Sequence, residues 1–131
     1  MESQYRRSGF KKLKKGKYYK FVLVALDKEA KDFVGTHNFS AFCSAGTEVQ
    51  DKVREIYDCT VTRNGDLVEI RVSGNGFLYN MVRIIAGTLI DIQRGKIEKG
   101  SIPEIINSLD REKAGVTVEG CGLYLDKVFY N

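Results

Sequence analysis

The run from Glu55 to Ser73 constrains the fold more than any other part of the chain. Tyr57, Cys59 and Val61 alternate with Asp58, Thr60 and Thr62, and beyond Asn64-Gly65 the residues Val68, Ile70 and Val72 alternate with Glu69 and Arg71. Successive side chains of an extended chain point to opposite faces, so each run offers one apolar and one polar face. An Asn-Gly pair between two such runs accepts the positive φ of a tight turn, so the runs are expected to pair as an antiparallel hairpin. A hairpin with one apolar face is not stable alone, and the rest of the chain must cover it.

Helical patterns flank the hairpin on both sides. Leu23, Leu26, Ala30 and Phe33 recur at spacings of three and four, which predicts an amphipathic helix around Leu26–Val34, stopped by Gly35. Thr36 to Val49 reads as an ordered loop anchored by Phe39 and Phe42. After Gly74-Asn75-Gly76 a longer helix is expected from about Phe77 to Gln93. Leu78, Met81, Val82, Ile85, Leu89 and Ile92 form its stripe, and Ile84, Ala86 and Ile90 widen it, so it must be covered on most sides. Arg94-Gly95 closes it with a cation near its carboxyl end and a glycine just beyond. Ser101-Ile102-Pro103-Glu104 has the form of a capping box opening a short helix to about Leu109, and Gly122 to Tyr130 is an extended run. The order helix, hairpin, helix, helix, strand predicts an α+β fold: an antiparallel-rich sheet with helices packed on one face.

The 131 residues suffice for one domain, which the patterns place at residues 21–131. Of the net charge of +4, residues 1–20 carry +7 and the remainder −3, because Arg6, Arg7, Lys11, Lys12, Lys14, Lys15, Lys17 and Lys20 face only Glu2. This basic segment shows little periodicity and is expected to be disordered or irregular. Either it supplies phosphate contacts or it is a solvated arm. No apolar run is long enough to span a membrane, and no secretory signal is evident. Cys43, Cys59 and Cys121 are odd in number and never closely spaced, as expected in a reducing compartment, so the cytoplasm is the expected location. One histidine and three scattered cysteines predict no metal site, and no motif predicts a cofactor.

Arg83 stands out chemically. It lies inside the most apolar helix, and a guanidinium cannot shed its proton, so burial demands a carboxylate or phosphate partner. The alternative is a side chain that reaches the surface from the helix edge. Asn75, Phe77 and Asn80 cluster at the glycine-flanked entry to that helix, where free N–H groups favour an anion, unless they serve only turn and capping chemistry. His37, Asn38 and Phe39 follow a glycine-stopped helix and could meet phosphate, sugar or base, or be purely structural. In Gly120-Cys121-Gly122-Leu123-Tyr124-Leu125 the glycines permit close backbone approach. Leu123 either walls a pocket or begins an ordinary core strand after a bulge. Phosphate loops, HExxH, nucleophile elbows and the RNA-recognition RNP1 pattern are all missing from the sequence.

Three segments together carry a resemblance. Val34-Gly35-Thr36-His37-Asn38-Phe39-Ser40-Ala41-Phe42 resembles the G-x-H-D-F-x-x-F signature of the TruA family of tRNA pseudouridine synthases. Gly76-Phe77-Leu78-Tyr79-Asn80-Met81-Val82-Arg83-Ile84-Ile85-Ala86-Gly87 resembles that family's F-L-x-x-M-V-R-x-I-x-G helix, and Gly122-Leu123-Tyr124-Leu125 its terminal G-L-x-L strand. The order is the family's, and the resemblance covers roughly residues 22 to 130. It implies half of the pseudouridine synthase fold. It also implies a cofactor-free isomerase that converts uridine to pseudouridine in the anticodon stem-loop of tRNA, working as a homodimer. Arg83 would then orient the catalytic aspartate, and Leu123 would wall the flipped-out base. His37, Asn38 and Phe39 would face RNA or shape the site, and Asn75, Phe77 and Asn80 would line the RNA-binding cleft around Arg83. Asn38 stands where the family has aspartate, and the family's G-R-T-D-x-G-V-H motif does not occur in the sequence. The catalytic aspartate is therefore expected from a missing amino-terminal half, and the isolated chain is expected to be inactive. A half enzyme should also bare a sheet edge or an apolar patch and self-associate. The alternative is a non-catalytic RNA-binding or dimerisation module.

Overall fold

A computed structural model describes the backbone of residues 3–12, 19–64, 67–120 and 123–130, and the side chains of residues 25–63 and 68–120. Its elements in chain order are β1 (Ser3–Lys12), α1 (Tyr19–Lys31), β2 (Gly35–Asn38), β3 (Val53–Asn64), β4 (Leu67–Gly74), α2 (Met81–Gln93), α3 (Ile102–Ser108) and β5 (Leu123–Tyr130). Short 3-10 turns lie at Ser40–Phe42 and Arg111–Lys113. The strands form one sheet in the order β2-β3-β4-β1-β5, every neighbouring pair antiparallel. The architecture is α+β.

β3 and β4 pair from Asn64 opposite Leu67 down to Ile56 opposite Gly74, so Asn64 ends the strand and is not the positive-φ turn residue expected, while Gly65 lies outside the described residues. Cys59, Val61, Val68, Ile70 and Val72 are all buried on one face, as alternation predicts. Tyr57 departs from it. The register shifts between Ile56 and Asp58, so Tyr57 is the extra residue of a bulge; it is exposed, and Ile56 takes the inward place at 1% exposure. Beside the bulge the strands come so close that a Cβ on Gly74 would lie 2.6 Å from the carbonyl oxygen of Glu55. A bulge is set by the count of residues on the partner strand, which alternation within one strand does not reveal.

The basic start is more regular than its sequence suggests. Instead of being irregular, Ser3–Lys12 forms β1, paired with β4 on one side and β5 on the other, and Tyr19 already begins α1. Its partners lie far along the chain, so local periodicity carries no trace of the pairing. α1 accordingly starts earlier than expected and ends at Lys31, after which bonds from Asp32 N to Glu29 O and Phe33 N to Ala30 O tighten the turn. The expected loop after it contains β2, paired with β3 from Gly35 opposite Ile56 to Asn38 opposite Val53.

α1 packs on β3 and α2, α2 touches β1 and the Ser40–Phe42 turn, and α3 lies by that turn and β2. One buried cluster joins the inward residues of β3 and β4 to Leu26, Ala30 and Phe33 of α1 and its end, most of α2, and Ile102, Ile105 and Ile106 of α3. Each large apolar side chain so buried contributes about 1.5–3 kcal/mol. Phe33 and Phe42 meet edge to face at 5.1 Å, and Phe42 meets Phe39 at 6.1 Å, locking the end of α1 to the 3-10 turn.

The apolar helix begins at Met81 and not at Phe77. Asn80 has φ 60°, off the helical path, and Leu78 to Met81 form a turn closed by Met81 N to Leu78 O at 3.0 Å. Leu78 is buried and Phe77 packs against the core without being helical, so the periodicity there recorded burial and not backbone conformation. At the other end Gly95 (φ 78°) follows Arg94 as expected. The capping box at Ser101 does not form: its hydroxyl donates to Glu98 O, and its backbone is already helical (φ −91°, ψ −3°). Among the described residues no helix is long and apolar enough to cross a membrane.

Candidate active site around Arg83

Between Met81 and Ile92 every residue except Arg83 is buried. Arg83 is half-buried, at the wall of a groove of about 370 Å³ lined by Phe77 to Arg83. Its guanidinium is held at two points. Nε donates to the carbonyl of Val118 at 2.7 Å, and Nη1 donates to Oδ1 of Asn80 at 3.0 Å. A guanidinium carries five N–H donors in one plane, so three remain after these two bonds, including both on Nη2. Among the described residues no carboxylate pairs with Arg83. Among the described residues the demand for a charged partner is thus met only by two neutral oxygens, which leave a fork of donors for an anion with two oxygens.

Val118 is presented by an extended segment that α2 grips along one side. Thr88 Oγ1 donates to Ile84 O and accepts from Gly115 N at 2.9 Å. Asp91 Oδ2 accepts from Val116 N at 3.2 Å, and Val118 N donates back to Arg83 O at 3.4 Å. Arg111 holds the outer side of the segment through Gly115 O and Thr117 Oγ1. Contact is close enough to require glycines: a Cβ on Gly115 would lie 2.5 Å from Thr88 Cα. At the end of the segment, the Cβ position of Gly120 lies 3.7 Å from the guanidinium carbon of Arg83.

The other candidate residues divide. Asn80 joins Arg83 directly, and Phe77 lines the same groove. Asn75 is adjacent in sequence, but its Oδ1 accepts from Glu55 N at 2.9 Å and its own N–H donates to Glu55 O at 3.0 Å, so it extends the β3–β4 ladder. His37 and Asn38 sit on the edge strand β2. The His37 ring bonds Val34 O at 3.1 Å through Nε2 and meets Phe39 edge to face at 5.5 Å, while Asn38 Oδ1 accepts from Ser40 N. Phe39 was expected to face RNA or shape the site; it is fully buried, so its ring serves packing and supports His37. Leu123 lies in β5, and its side chain is outside the described residues. Ser44 carries no motif, yet its hydroxyl accepts from Asn80 Nδ2 at 3.1 Å. Only the apposition of two loops reveals it.

The α+β arrangement is consistent with one half of a pseudouridine synthase fold. A family model described as tRNA pseudouridine synthase matches residues 30–131. The protein named tRNA pseudouridine synthase A of Bacillus subtilis is 49% identical over 113 residues, covering 86% of this chain and 46% of that protein. Its namesake in Caldicellulosiruptor saccharolyticus is 48% identical over 112 residues, with the same two coverages of 86% and 46%. The Bacillus pumilus protein of that name is 54% identical over 98 residues, 75% of this chain and 40% of that protein. The chain belongs to the tRNA pseudouridine synthase family. It spans about half the length of the curated relatives it matches.

Proposed function

We propose that this chain is the carboxyl-terminal half of a tRNA pseudouridine synthase, and that it contributes Arg83 to an active site whose aspartate comes from a second half. The observation that carries this reading is the guanidinium fixed by Val118 and Asn80 in a groove, its remaining donors without an anionic partner among the described residues. A carboxylate arriving there meets a preorganised fork, which holds it ionised and oriented toward a uridine. The reaction breaks the glycosidic bond and rejoins the base through carbon, with no cofactor. The substrate is the anticodon stem-loop of tRNA, bound in the cytoplasm by a homodimer. Leu123 walls the extruded base. His37 and Asn38 belong to an RNA-facing edge, and Asn75, Phe77 and Asn80 border the cleft, while Phe39 backs His37 from the core. Alone, the chain binds RNA weakly and is inactive.

The test is complementation. The chain is incubated with unmodified tRNA transcript alone, and again after co-expression with the amino-terminal half of the Bacillus subtilis relative, which would supply the aspartate. Pseudouridine in the anticodon arm is expected only from the combined halves and not with Arg83→Ala. A co-purifying complex that forms no pseudouridine would sink the reading. RNA binding by the chain that is indifferent to Arg83 would favour the non-catalytic module.

A further inference from the structure

Arg83 is bonded by a second residue, Asn80, which is itself bonded by a third, Ser44. Asn80 is one of two non-glycine residues with positive φ among the described residues, the other being Leu109. Elsewhere the chain meets such backbone with glycine: Gly46, Gly95 and Gly100 have φ of 90°, 78° and 80°, each with open space where a Cβ would sit. Glycine accepts this conformation at no steric cost, whereas a side chain there is mildly strained, and asparagine tolerates it best. Asn80 keeps its side chain, and both ends of the amide are used. Oδ1 accepts from Arg83 Nη1 at 3.0 Å, and Nδ2 donates to Ser44 Oγ at 3.1 Å. Ser44 is in turn held against the same turn by its N–H, which donates to Tyr79 O at 3.0 Å.

We propose that Asn80 and Ser44 are positioning residues for Arg83, the serine hydroxyl anchoring the amide and the amide orienting the guanidinium. An asparagine amide has two faces of similar shape and opposite polarity. Reversed, it would set N–H donors against the donors of Arg83. Arg83, which can only donate, removes that alternative by requiring Oδ1, and the Ser44 hydroxyl anchors the other end of the amide. The guanidinium is then pinned at Nη1 by Asn80 and at Nε by Val118, and its plane is fixed before any carboxylate arrives. Preorganisation of this kind spares the site from reorganising when charge must be met. The proposal deepens the proposed function and rests on its reading of Arg83 as a carboxylate-orienting group.

The experiment uses the whole 131-residue chain with acetate as the carboxylate probe and nitrogen-15 NMR of the arginine side chain as the readout. In the parent protein the Arg83 Nη signals are expected to be resolved by hindered rotation and to shift on adding acetate. Asn80→Gly keeps the left-handed backbone and removes the amide. It should restore free rotation and weaken acetate by about three- to tenfold, the effect of one lost hydrogen bond. Ser44→Ala should do the same in part, and Ser44→Thr, which keeps the hydroxyl, should recover the parent behaviour. A purely structural role would lower the thermal midpoint without changing rotation at Arg83. Parent-like rotation and acetate affinity in Asn80→Gly would overturn the positioning role while leaving the carboxylate site standing. A parent protein whose Arg83 signals ignore acetate would remove the carboxylate site and this proposal with it.

Discussion

A methyl group built on Gly87 would sit 1.7 Å from the carbonyl oxygen of Val116. The relation joins α2 to the segment that carries Val118, and it decides where the acceptor for Arg83 stands. Without a side chain at Gly87 the backbone of residues 115–118 lies directly on the helix. Thr88 and Asp91 bond its N–H groups, and the Val118 carbonyl arrives 2.7 Å from Arg83 Nε.

Gly87→Ala should therefore be destabilising despite the better helix propensity of alanine. The propensity gain is about 1 kcal/mol, whereas overpacking against backbone, which cannot rotate away, exceeds the typical ~1–3 kcal/mol of such changes. Urea unfolding should show a lowered midpoint, with the NMR signals of Val116 and Val118 among the most displaced. A more stable variant would show that the segment is free to move.

Thr88→Val preserves shape and removes the hydroxyl that accepts from Gly115 N in a buried setting. A buried N–H left without a partner costs about 1–3 kcal/mol. Amide exchange at Gly115 should accelerate by a factor corresponding to the measured loss. Unchanged exchange would mean that another acceptor replaces Thr88.

Arg83→Lys keeps the charge, yet an ammonium cannot reproduce a planar fork fixed at Val118 and Asn80. In the combined-halves assay pseudouridine formation should fall by about 10²–10³-fold, the cost of losing a preorganised donor, with little change in tRNA affinity. Activity within threefold of the parent would show that charge alone suffices.

Cys59 predicts a pH dependence. Burial in the sheet core pushes its thiol from the ordinary 9.0 up to about 12, against the lowering pull of Lys31 and with smaller raising contributions from Asp58 and Asp27. Below pH 9 the thiol is protonated in both states and stability is unaffected. Above it the unfolded chain releases a proton that the folded one retains, so stability should fall between pH 9 and 12, by up to about 1.4 kcal/mol per unit. Urea midpoints from pH 8 to 10.5 should show this slope, reduced in Cys59→Ala. Rapid alkylation of native Cys59 at pH 8 would contradict its burial.

Local pattern alone determined a good deal. The β3–β4 pairing, the apolar helix stopped by Gly95 and the α+β class follow from periods of two and between three and four, together with the conformational freedom of glycine. Arg83 was legible because a permanent cation in an apolar stripe is costly wherever that stripe is buried. The tertiary structure decided what depends on partners distant in sequence. Tyr57 is exposed because β4 offers one residue where β3 has two. Ser3–Lys12 is a strand because two others bracket it. Asn75 and His37 were drawn into backbone bonds of the sheet and its edge. Val118 and Ser44 became the supports of the site through contact between segments that no spacing relates. A side chain's chemistry is written in its identity, but its hydrogen-bond partner is fixed only when the fold excludes water and leaves one oxygen within reach.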